Sequence, residues 1–364
     1  FIFTDDHIIP FSILSPDDVI ICEDEVSLTN AIADAEGTET KPVDIYISGM
    51  ISLTSTLQIP SGKYISLIGM NGAAGLQGDV FSESENETDN PLIPETAGIS
   101  KTSMIRVGGS LSVARLTLRP TAYSNARKVR QRVLRVDEGG ALRLEEGCFV
   151  IGGYGYAGSG IYNCGNTKIN GASFVSNRLT AMTNGLGGAI ANDQNGTLTI
   201  LSGTFTDNLS RKGSAVYNAE GAKAVIAGGV FRNNKASFDQ GSSVELTGEG
   251  AAIYNDKDST VEITGGSFLE NTADDFGGAI ANYGQMHISG GVFSKNTAGK
   301  KGAGVYSAGQ TTFDDGVIRE NSIKSDSISF EMADGGGVYV EKGTFTMNGG
   351  TIAENSVQST YNSL

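Results

Sequence analysis

Eight of the twelve arginines in this chain of 364 residues fall between Arg106 and Arg143: Arg106, Arg115, Arg119, Arg127, Arg130, Arg132, Arg135 and Arg143. Arg106 alternates with Ile105 and Val107, and Arg135 with Leu134 and Val136. On an extended strand that pattern sends the aliphatic neighbours to one face and the guanidinium to the other. Arg143 and Lys168 take outward places one repeat apart, and Tyr154, Tyr156 and Tyr162 lie close by. Guanidinium forks grip carboxylate or sulfate groups, while aromatic rings suit the flat face of a sugar. Arg106, Arg135, Arg143, Lys168, Tyr154 and Tyr156 are therefore the candidate ligand-binding residues, suited to a sulfated, uronic or sialylated glycan. The competing reading makes the arginines ordinary surface ion pairs with Asp137, Glu138, Glu145, Glu146 and the acidic stretch 83–89.

Catalytic chemistry has less behind it, and no catalytic residue is assigned. Glycoside hydrolysis needs two carboxylates facing each other across roughly 5–10 Å. Asp137/Glu138, Glu145/Glu146, Asp274/Asp275 and Asp314/Asp315 are adjacent in the chain, and strand neighbours point to opposite faces. Only a pairing across repeats, such as Asp137 or Glu138 with Glu145 or Glu146, would serve. The two histidines are His7 and His287, and His287 holds a repeat position filled elsewhere by Thr199 and Glu262, so it reads as a surface residue. Cys22, Cys148 and Cys164 occupy different places in the repeat and read as isolated thiols. No metal cluster is expected and no cofactor; calcium among the acidic groups has no loop motif behind it.

What must position these groups is a repeat. Gly187–Asn208 returns in recognisable form at Gly277–Asn296, and a Phe-x-x-Asn element closes each copy. That element recurs at Phe174/Asn177, Phe205/Asn208, Phe231/Asn234, Phe268/Asn271 and Phe293/Asn296, with Ile318/Asn321 and Ile352/Asn355 continuing it. Inward pairs such as Leu198/Ile200, Val261/Ile263 and Met286/Ile288 alternate with polar residues, which is a strand period. Ile190, Val216, Ile253, Ile280, Val305 and Val338 mark a second strand. Gly-Gly and Ser-Gly pairs mark a sharp turn before the Phe strand. Three short strands in some 25 residues cannot bury their inner faces alone, so the copies must stack coil on coil. The expected fold is all-β: a right-handed parallel β-helix, pectate-lyase-like, of about a dozen coils. The asparagines, including a second column at Asn163, Asn192, Asn218, Asn255 and Asn282, read as structural ladders, with Asn tolerating left-handed turns.

The expected organisation is a cap over 1–42 and a single β-helix domain over 43–364, with loop insertions near 71–103, 119–132, 237–250 and 322–334. In the cap, Ser27–Ala35 has helical period, with Ser27 as N-cap and Leu28, Ile32 and Ala35 on one side, a plug for the core's end. Ile8–Ile9 and Val19–Cys22 read as short strands. The start without Met and the end just after a repeat suggest a piece of a longer protein. A net charge of −15 argues against a nucleic-acid partner, and no apolar run is long enough to span a membrane. A monomer is expected.

The GGAI and Phe-x-x-Asn steps, seen at Gly187–Ile190 with Phe205–Asn208 and at Gly277–Ile280 with Phe293–Asn296, resemble the repeat of chlamydial polymorphic outer-membrane proteins. Gly335–Ile352 is similar to the repeat of bacterial cell-surface β-helix proteins. The resemblance covers about Gly158–Asn355. It implies a secreted or surface-displayed protein, a non-catalytic adhesin or glycan-binding scaffold whose partner is a host or microbial surface glycan or protein. The same scaffold carries polysaccharide lyases and glycoside hydrolases, so an enzyme acting on an acidic polysaccharide around Arg106–Tyr162 is the alternative. The Gly-His-Gly and Arg-x-Lys steps of the polygalacturonase-like enzymes do not occur here.

Overall fold

A computed structural model describes residues 19–78, 103–121, 131–155, 157–179, 185–237, 247–325 and 333–359. Within these the chain winds as a parallel β-helix with three walls. One turn shows the path. Ile280–Asn282 lies in a ten-stranded sheet; Gln285–Ser294 crosses the long sheet; Thr297–Ala298 lies in an eight-stranded sheet, and Val305–Ser307 stacks on Ile280–Asn282. Every strand pair among the described residues is parallel, and inward residues meet their counterparts from coil to coil, as Leu198↔Ala224, Ala224↔Val261 and Val261↔Met286 illustrate. The long sheet has two levels at its amino end, Ile20–Cys22 and Val43–Ile47, that precede the first strand of the ten-stranded wall, which agrees with about a dozen coils.

The strand alternation does what hydrophobic burial requires. Ile190, Val216, Ile253, Ile280 and Val305 are fully buried, as are Ile200, Ile226, Ile263 and Ile288. Phe174, Phe205, Phe231, Phe268 and Phe293 form one stack, with ring centroids 4.6–4.8 Å apart and planes within 7°. The coil spacing of a parallel sheet sets that distance, so identical rings in register must stack. At the carboxyl end of the described residues Phe345 is half-buried and Met347 46% exposed, because no further described coil packs on them.

Both asparagine columns are buried ladders. Each closing Asn donates its Nδ2 to the Oδ1 of the next at 2.9–3.0 Å, from Asn177 through Asn208, Asn234, Asn271, Asn296 and Asn321 to Asn355. Asn163, Asn192, Asn218, Asn255 and Asn282 repeat the arrangement at 2.7–2.9 Å. The left-handed backbone, however, falls on the residue before each closing Asn: Ser176, Asp207, Asn233, Glu270, Lys295, Glu320 and Glu354 have φ of 54–58°. The asparagines are therefore held by hydrogen bonds rather than chosen for an unusual turn.

Three local expectations change. The Gly-Gly step does separate two strands in some coils, as Gly228–Gly229 does between Lys223–Ile226 and Val230–Arg232 and Gly265–Gly266 between Thr260–Ile263 and Ser267–Leu269, but not in every coil. In four coils the corresponding Asn-Gly, Ser-Gly, Gly-Gly or Asp-Gly step is instead an irregularity inside one ten-residue strand, with its glycine at φ 100–136° at Gly171, Gly203, Gly291 and Gly316. The helix spans Glu25–Asp34 and its N-cap is Asp24, whose carboxylate accepts from Ser27 N while Ser27 Oγ accepts from Asp24 N. Ser27 is thus the far half of a capping box. Leu28 and Ile32 do plug the core, and Glu25 accepts four hydrogen bonds from Thr54 and Ser55. Finally, strands reach into the expected insertions: Gly75–Gly78 carries the fully buried Leu76, Thr117–Pro120 and Arg132–Val136 border the second, and Ser322–Ser325 opens the last. The stretches between them, and Ile8–Ile9, Arg127 and Arg130, lie outside the described residues.

Candidate functional site

Register decides which of the candidate residues can meet. Arg106 and Arg135 stand directly across from one another on the ten-stranded wall, and Arg135 pairs in turn with Tyr162. Arg143 and Lys168 are partners on the outer face of the long wall. Tyr154 belongs to the eight-stranded wall, paired with Arg178. Tyr156 lies outside the described residues. The five described candidates are thus spread over three faces, because neighbours along a solenoid chain sit on different walls within one coil.

The ten-stranded wall does not offer a sugar platform. Arg106 Nε and Arg135 Nε clamp the two oxygens of Asp137 at 2.6 and 2.7 Å. The cavity beside them, about 410 Å³, is lined by Arg106 but also by Asp137 and Glu138. Further along, the outward column Tyr162, Ala191, Tyr217, Tyr254, Ala281, Tyr306, Tyr339 is buried in its first six members. These rings form a second apolar layer with Ala157 and Leu186. Arg132 lies over Tyr162 at 4.6 Å, Lys212 over Tyr254 at 4.3 Å and Lys301 over Tyr339 at 4.7 Å. Tyr162 and Tyr217 donate to Asp193 and Asp256, and Tyr283 to Glu249 at 2.5 Å. Burial lowers the Lys212 pKa and raises that of Tyr254 and Tyr283. The signal for this layer in the sequence is the Tyr or Ala that follows each wall aliphatic.

The long wall is different. A cavity of about 440 Å³ there is lined by Tyr64, Ser66, Ser112, Arg143, Glu145 and Lys168, among others. Ser66, Ser112, Arg143 and Lys168 form one outward column on successive coils, so hydroxyls lead directly to two stacked cations. Arg143 spends its Nε on Glu145 but its side chain stays 51% exposed. Lys168 makes no ion pair among the described residues. Glu145 is occupied twice, by Arg143 and by Asn170 Nδ2 at 2.7 Å. Asp137 and Glu145, two of the carboxylates weighed for catalysis, are therefore both bound to cations.

Among the described residues no group of three or more His, Cys, Asp or Glu side chains is placed to hold a metal, and no helix is long and apolar enough to cross a membrane. Cys22 and Cys148 are buried and all three thiols are free. His287 is exposed and contacts Asp314 at 2.7 Å.

The fold and the face together define a class: a parallel β-helix repeat protein with a polar, cation-bearing groove on its long wall. No family model matches the chain, and no curated protein matches it. Among solved structures it is similar to ORF18 of Geobacillus virus E2, at 12% identity and a TM-score of 0.38 over 92% of this chain. The match spans 58% of that protein's length.

Proposed function

We propose that this chain is a non-catalytic binding scaffold, secreted or displayed on a bacterial surface, that holds an acidic glycan on the outer face of its long wall. The observation that supports the reading is the pair Arg143 and Lys168, stacked in register beside Tyr64 and the Ser66 and Ser112 hydroxyls in one groove. A guanidinium and an ammonium one coil apart, roughly 4.8 Å, can share one acid group or take two on a bound chain. The surface location rests on the repeat's resemblance alone.

The test incubates the intact chain with pectic, alginate, glycosaminoglycan and mucin glycans, with and without calcium. Retention is measured, and products are sought by mass spectrometry. Intact glycans retained by the wild type, with at least a tenfold weaker retention after Arg143→Glu with Lys168→Glu, is the expected result. Shortened products would make the protein an enzyme. Retention untouched by the double reversal would remove the groove from the reading.

A further inference from the structure

The groove continues past Glu145 into a larger cavity of about 870 Å³, lined by Arg115, Glu145, Glu146, Asn170, Ser202 and Thr204. Its floor is a polar chain: Asn170 donates to Glu145, and Ser202 Oγ donates to Asn170 Oδ1 at 3.4 Å. Arg115 stands at its edge in a conformation that an arginine adopts reluctantly. Counting back three residues from the register partners Leu118, Val150 and Phe174 gives Arg115, Gly147 and Gly171. All three are left-handed, at φ 56°, 74° and 100°. Two of these coils use glycine; the first uses an arginine, at a strain of about 1 kcal/mol. Neighbouring glycines make room for it. A Cβ on Gly147 would stand 3.2 Å from Arg115 Cα, and one on Gly69 would collide with the Arg115 carbonyl at 1.9 Å. The side chain is exposed and makes no ion pair among the described residues.

We infer that Arg115 is a second anion-reading residue, and that the ligand carries acid groups at separated points along its length. This rests on the glycan reading of the Arg143 and Lys168 groove. The ligand chain crosses the long wall from Lys168 and Arg143, over Glu145, to Arg115 at the bulge. The strand of Arg143 ends at Glu145, and Arg115 packs on Gly147 in the turn just beyond it, so the two contacts are separated along the wall. Glu145 is held by Arg143 Nε and Asn170 Nδ2, which weakens its repulsion of an anion, and the 51% exposed Arg143 side chain keeps its remaining guanidinium nitrogens for the ligand. Glu146 is exposed at the lip and makes no ion pair among the described residues. It opposes acid groups that arrive out of place.

Binding of a polyanionic oligosaccharide series is compared with that of a singly charged sugar acid by calorimetry, at low and at raised salt. Arg115→Gly supplies the residue that the next two coils use and keeps the fold, which circular dichroism verifies. It is expected to weaken polyanion binding about tenfold and to leave the singly charged ligand within twofold. Glu146→Gln is expected to tighten the polyanion a few-fold. Unchanged polyanion affinity in Arg115→Gly, with loss in the Arg143→Glu and Lys168→Glu double variant, overturns the second contact and leaves the first groove standing. No loss in the double variant either removes the whole reading. Weaker binding in Glu146→Gln would mean that the ligand carries a cation there, and would also overturn the proposal.

Discussion

Asn234→Ala should be one of the most damaging single changes in the rod, and Asn355→Ala one of the milder ones. The two side chains make the same number of hydrogen bonds. Asn234 Nδ2 donates to Phe205 O and Asn271 Oδ1, and Asn234 Oδ1 accepts from Asn208 N and Nδ2, all at 2.8–3.2 Å. Asn355 donates to Ile318 O and Ala353 O and accepts from Asn321 N and Nδ2 at 2.9–3.0 Å. What differs is burial: Asn234 is fully buried, whereas Asn355 sits on the last described coil and is only half-buried. Four bonds at about 1 kcal/mol each, with their partners left unpaired away from water, put Asn234→Ala at about 4 kcal/mol or more. At the end coil water replaces the lost partners, and the cost falls to about 1 kcal/mol. Because a solenoid opens coil by coil, a global midpoint blurs the effect. Native-state hydrogen exchange at Lys235 and Thr272, whose amides bond to Asn208 O and Asn234 O, reads it locally. About 4 kcal/mol is a loss of protection of roughly a thousandfold at 1.4 kcal/mol per decade. If Asn234→Ala proves no worse than Asn355→Ala, burial is not what makes the ladder count.

Two further predictions concern titration. Burial pushes the Glu25 carboxyl up, but the bonds from Thr54 and Ser55 together outweigh it and hold its pKa below the ordinary 4.5. A depressed carboxylate stabilises the fold above its unfolded pKa and loses that contribution as pH falls through the folded one. Amide protection in Glu25–Asp34 should therefore fall as pH drops below about 4.5, and Glu25→Gln should flatten that dependence; an unchanged profile would refute the anchoring role. The second concerns thiols. Burial pushes Cys148 up to about 12, and burial with the Asp193 charge pushes Cys164 up to about 11. At pH 8 Cys148 should resist alkylation until the rod unfolds and Cys164 should react slowly; rapid labelling of Cys148 in the folded protein would contradict its buried place.

The Arg143 and Lys168 face was legible in the sequence because alternation and repeat alignment place both residues outward one coil apart. Grouping them with Arg106, Arg135 and Tyr154 failed for a geometric reason: within a coil, a few residues carry the chain round a corner to another wall. Arg115 could be read as part of the basic cluster, yet neither its left-handed backbone nor its meeting with Glu146 and Ser202 follows from chain order. The tyrosine column was legible as a pattern, and its burial was not. The helix was found, and its cap was misplaced by one turn since both Asp24 and Ser27 are competent caps.

The spacing of the Phe-x-x-Asn element determined the parallel stacking and the first asparagine ladder, while the two-residue alternation set the inward faces and the column from Asn163 to Asn282 set the second ladder. An identical residue at a fixed place in every coil must meet its copies at the distance that strand pairing imposes. Tertiary structure alone decided which charges cancel, which rings are covered and where a groove remains. Those outcomes depend on what the outward side chains of different walls and coils find within a few ångströms, and a one-dimensional period carries no record of that.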